Sequence, residues 1–158
     1  MIGISVEREF EMNRMDLINS LASFFQEYAE VYDLEMVLLY GSWAGGQPQA
    51  ESDVDLAVIF HNPELPDEAA FDRIINLESA LSTRLKREVN ILQIRMDFRK
   101  PLLYYNAIAL GEALYVKNFD SYIDLKNEAV FQMEDYSLFG IPWQIEMAEK
   151  NLEELPHA

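Results

Sequence analysis

The sequence has 158 residues, half of them hydrophobic and a quarter charged, which is enough to bury one sizeable core and too apolar for a disordered chain. It has no cysteine, which excludes disulfides, thiolate metal sites and cysteine nucleophiles and points to a reducing compartment. With 12 basic against 28 acidic residues the net charge is −16. That argues against general nucleic-acid binding and leaves either a solvated acidic surface or an acidic face for a basic protein partner.

The opening stretch MIGISVEREFEMNR carries acids and lacks the apolar stretch of a secretory leader. No apolar run approaches the ~18 residues of a membrane helix, so the expected setting is the cytoplasm, away from membranes. Asn13, with Asp16 three residues on, predicts a helix start; Leu17, Leu21, Phe24, Phe25 and Tyr28 give that helix one apolar face. Glu35 to Tyr40 (EMVLLY) reads as a strand covered on both faces.

Ser52 to Phe60 reads as a second strand, with Val54, Leu56, Val58 and Phe60 on one face and Asp53, Asp55, Ala57 and Ile59 on the other. Pro66 predicts the first turn of a helix running to about Arg87, with Ala70, Ile74, Leu77, Leu81 and Leu85 inward. Glu88 to Ile94 is the third strand, Pro101 opens a short helix closed by Gly111, and EALYVK is a brief extended segment. Helical spacing resumes near Ser121, through Leu125, Ala129, Met133 and Tyr136, with Gly140 and Pro142 expected to break it. A last amphipathic helix carries Ile145, Ala148, Leu152 and Leu155 on one side. The expected fold class is α/β (α+β), a small mixed sheet flanked by helices. The expected organisation is one domain over residues 1–158, with a C-terminal helical extension over about 120–158.

Residues two apart on a strand lie roughly 6.5–7 Å apart on the same face. Asp53 and Asp55 therefore repel each other and resist burial unless a cation lies between them. A hard divalent ion such as Mg²⁺, which takes carboxylates together with phosphate oxygens and water, suits them. Gly41 ends the preceding strand where the backbone can approach a ligand closely, and Ser42 adds a hydroxyl. Backbone N–H groups at a helix start there would favour a phosphate. Gly45 and Gly46 keep that turn free of side chains. Alone, a Gly-Ser is usually a turn and an Asp-x-Asp usually surface acid; together, each after its own apolar strand, they are specific.

The stretch GSWAGGQPQAESDVDLAV resembles the signature of the DNA polymerase β-like nucleotidyltransferases: Gly-Ser, a spacer of about ten, then Asp-x-Asp. The chain's length points to the minimal nucleotidyltransferases (MNT), close to antitoxins paired with HEPN-domain ribonuclease toxins. Within Val89 to Lys117, VNILQI, a helix and GEALYVKN follow the MNT order. The resemblance implies that Gly41 and Ser42 hold the triphosphate of ATP and that Asp53 and Asp55 ligate Mg²⁺. It implies transfer of AMP to a tyrosine of a HEPN toxin, with pyrophosphate leaving.

One position departs from that pattern. Where active members commonly carry a third carboxylate, on the next strand, this chain has Asn90, a neutral group unable to accept a proton as base. Asp97 lies seven residues further on. A catalytically weak MNT module that neutralises a basic partner by contact therefore stands as an alternative. A third reading is AMP transfer to a small hydroxyl compound such as an aminoglycoside. Arg95 and Arg99 read as surface charge before phosphate contacts, and Tyr104 and Tyr105 as core before stacking platforms. Trp43 reads equally as a nucleotide cover or a hydrophobic plug. His61 and His157 lack metal-ligand spacing. Trp143 and the last helix suit either packing on the sheet or a partner's groove.

Overall fold

The computed structural model describes residues 13–45 and 52–154. Gly46, Leu155 and His157, as well as the opening MIGISVEREFEM, lie outside the described residues.

Helix α1, Arg14–Tyr28, starts where capping chemistry places it: the Asn13 side-chain oxygen accepts the Asp16 N–H at 2.8 Å. It buries Leu17, Leu21, Phe24 and Phe25, each worth roughly 1.5–3 kcal/mol once out of water. Strands β1, Leu34–Tyr40, and β2, Val54–Phe60, pair antiparallel. Helix α2, Asp67–Leu85, begins with Pro66 at its cap and stops two residues short of Arg87, because Lys86 turns left-handed with φ 53°.

Strand β3, Val89–Gln93, lies parallel to β2. Helix α3 spans Pro101–Ile108, and β4, Glu112–Val116, runs antiparallel to β1. The EALYVK segment is therefore a full member of the sheet, whose order is β3-β2-β1-β4. One mixed sheet with helices on both faces is the expected class.

The alternation read from β2 sorts the core. Val54, Leu56, Val58 and Phe60 join Val37 and Leu39 under α1 and α2. Ala57 and Ile59 join Met36 and Leu38 under α3 and helix α4, Phe119–Asp135. Helix α4 starts at Phe119, earlier than Ser121, because the Asn118 side chain accepts the N–H groups of Asp120 and Ser121 at 2.9 and 3.3 Å.

The expected break at Gly140 and Pro142 does not occur. A five-residue π turn, Tyr136–Gly140, carries the chain into helix α5, Ile141–Glu153. A proline inside a regular α-helix loses one hydrogen bond and clashes with the carbonyl four residues back. The wider turn just ahead of Pro142 is an accommodation helices use for such insertions. Gly140 is itself helical, at φ −70° and ψ −48°. A Cβ there would stand 2.5 Å from Tyr136 Cδ2, so this glycine makes room for a ring instead of ending a helix.

Candidate active site

The parallel pairing of β2 with β3 aligns Asp55 with Asn90. Both side chains, with that of Asp53, emerge on one face at the beginning of their strands. The Asn90 amide nitrogen lies 3.4 Å from Asp53 Oδ2 and 3.5 Å from Asp55 Oδ1. It donates toward both carboxylates at the outer limit of hydrogen-bond length. Asp97 is at the other end of β3, ion-paired with Arg99 at 2.6 Å, and does not reach this cluster.

Gly41 completes the site from the end of β1. Its φ is +75°, and a Cβ built on it would fall 2.6 Å from Asp55 Oδ2. Any other residue would suffer both a left-handed backbone and a collision with the carboxylate. Gly41–Trp43 form a single 3₁₀ turn in place of the start of a longer helix, with the Gly45 N–H returning to the Gly41 carbonyl at 3.1 Å. Ser42 is exposed beside it. Gly41→Ala is expected to lower the melting temperature, through roughly 1–2 kcal/mol of backbone strain together with the collision against the Asp55 carboxylate; thermal denaturation checks it.

Trp43 is a plug. It is buried at 2% exposure in the core under α1 and α2. Its indole N–H donates to the Ser52 carbonyl at 3.2 Å, and the Arg87 guanidinium stands 5.1 Å from its ring centre. Arg14 Nε donates to the Trp43 carbonyl at 2.9 Å, while the same guanidinium pairs with Glu112. One aromatic side chain thus ties the Gly-Ser turn to the start of the Asp-x-Asp strand, and a helix arginine pins that turn from above. Neither tie has a sequence signal, since Trp43 and Arg14 belong to no periodic pattern that includes the other.

Sequence reasoning also passed over Tyr40. It faces Asp55 across the antiparallel ladder, and its half-buried ring packs on the core beneath α3 and α4. Burial, and then the Asp55 charge, raise its phenol above the ordinary tyrosine value, so it stays neutral. The strand alternation that groups Asp55 with Ala57 and Ile59 could have found it. Burial also raises the Asp55 carboxyl above the usual aspartate value; the Asn90 hydrogen bond opposes this and the Asp53 charge adds to it.

The remaining candidates lie elsewhere. Arg95 pairs with Asp67, and Tyr104 is a core residue whose hydroxyl donates to the Gln93 carbonyl at 3.4 Å. Tyr105 is half-buried on α3. His61 Nδ1 lies 2.7 Å from Glu35 Oε2. Among the described residues no three histidine, aspartate or glutamate side chains gather as a ready metal cage. The donor set at the site is two carboxylates and an amide, all hard groups on one open face. It fits an ion that also takes phosphate oxygens and water. No helix among the described residues is long and apolar enough to cross a membrane.

A mixed four-stranded sheet bearing a glycine-led turn against paired strand carboxylates defines a nucleotidyltransferase fold. The chain belongs to the polymerase beta nucleotidyltransferase family, whose model matches residues 19–120. A chain of a toxin–antitoxin structure with AMP-PNP superposes with a TM-score of 0.59 at 19% identity, over 84% of this chain and 96% of that one. A chain of the Shewanella oneidensis tri-AMPylated HEPN toxin in complex with its MNT antitoxin gives 0.55 at 16% identity, over 84% and 97%. The toxin–antitoxin MntA–HepT gives 0.54 at 17% identity, over 82% and 95%. These likenesses establish a common fold. Comparison with curated proteins gives no match.

Proposed function

We propose that this chain is a cytoplasmic MNT-type antitoxin that transfers AMP from ATP to a tyrosine of a HEPN-type toxin, with Mg²⁺ as cofactor. The observation that carries this reading is the convergence of Asp53, Asp55 and Asn90 beside Gly41. Family membership and the likeness to complexes containing AMP-PNP and an AMPylated HEPN toxin support it.

Asp53 and Asp55 would hold the divalent ion, which when bound supplies positive charge to phosphate oxygens. Gly41 and Ser42 would receive the triphosphate, Gly41 by leaving the backbone bare and Ser42 by its hydroxyl. The acceptor phenol oxygen forms a bond to the α-phosphorus. The bond from that phosphorus to the α,β-bridging oxygen breaks, and pyrophosphate carries away the electron pair. The phenol proton passes to solvent, because Asn90 cannot take it. The chain's contribution is position and electrostatics.

The test is incubation with labelled ATP, Mg²⁺ and the product of the adjacent reading frame. Label on a partner tyrosine is the expected result. Binding of the partner without any label would overturn the catalytic reading. Asn90 favours a second reading in that event, in which the domain neutralises a basic partner by contact alone.

A further inference from the structure

From Val130 to Glu154 no residue is buried. Helix α5 and the π turn before it nonetheless carry Leu138 at 69%, Ile145 at 54% and Leu152 at 66% exposure. These fall seven apart, with Ile141 and Ala148 three after the first two, which is the a/d spacing of a helix laid along another helix. Phe139, Trp143 and Met147 make a second apolar stripe beside the first, and Trp143 is 62% exposed. A helix apolar over so much of its circumference is one that is covered in use. The segment also lies beyond the stretch the family model matches, 19–120.

We propose that Tyr136–Glu153 is a docking arm that seats in a helical groove of a partner protein bearing basic residues beside its apolar seam. Charge selects that partner over a second copy of this chain. The arm's charged positions are Glu146, Glu149 and Glu153 against Lys150, and the whole chain carries −16. Self-pairing would bring acid to acid, whereas a basic helix would be drawn to it. The proposal takes from the preceding reading only that a partner protein exists, and it holds whether or not AMP is transferred.

The test compares the full chain with the variant Leu138→Glu plus Ile145→Glu, whose sites contact no core. Binding to the adjacent frame's product is measured by calorimetry at low and high salt. Melting temperature and ATP binding serve as controls. The expected result is at least ~tenfold weaker binding, with both controls unchanged and a wild-type affinity that falls with salt. Variant binding equal to wild type, no binding by wild type, or a wild-type homodimer in sedimentation that the variant dissolves would each overturn it. Binding lost in the variant while the wild-type complex acquires no label leaves the arm standing and removes the catalytic reading.

Discussion

Asp53→Asn combined with Asp55→Asn is expected to lower AMP transfer by roughly a thousandfold or more, the scale of losing the main electrostatic contacts to a developing phosphoryl charge. The double variant keeps the shape of both side chains and removes both negative charges. It should therefore also stop responding to Mg²⁺ in a nucleotide titration, which separates loss of the ion from loss of a later step. Label transfer at a rate close to that of the parent would place the ion elsewhere.

The Asp55→Asn half of that variant, made alone, carries a stability signature of opposite sign. The Asp55 carboxyl is raised above its ordinary value, mainly by burial, so its ionised form is disfavoured by the fold. An acid raised in this way contributes least once pH has climbed through the raised value, and its penalty is relieved as pH falls below the unfolded value. Asp55→Asn removes that penalty and the repulsion from Asp53. At neutral pH its melting temperature should equal or exceed that of the parent, and the gap should close on acidification.

How much of this was legible in advance depended on how local the cause was. The start of α1 was readable because Asn13 and Asp16 are three residues apart and the capping bond is made between them. The two faces of β2 were readable because strand side chains alternate. The place of Asn90 needed the parallel register of β3 on β2, which no short pattern encodes. Trp43 sits in a turn without periodicity, and its partners arrive from three separate segments: the Ser52 carbonyl and the Arg87 guanidinium meet its ring, and Arg14 meets its backbone carbonyl. The run of helix through Gly140 and Pro142 was hidden for a different reason: both residues are ordinary stop signals, and a π turn lets them serve as neither.

Asn90→Asp should convert the amide between the two carboxylates into a third carboxylate, and AMP transfer is expected to rise by roughly a hundredfold, the lower range of what a positioned base supplies. The position is already in place, since Asn90 stands opposite Asp55 and its amide nitrogen is 3.4 and 3.5 Å from the two acids. The cost falls on stability. The substitution exchanges a donor for a third anion, raises the Asp55 carboxyl further and should lower the melting temperature without Mg²⁺. Added Mg²⁺ should restore more of that loss in the variant than it adds to the parent, because an ion bound only by the folded state stabilises it by an amount that grows with the logarithm of concentration over dissociation constant. Faster transfer with a larger Mg²⁺-dependent rise in melting temperature would identify Asn90 as the residue that holds this site below its full rate. A larger rise in melting temperature without faster transfer would mean that the third carboxylate binds the ion but that proton removal from the acceptor is not what limits the reaction.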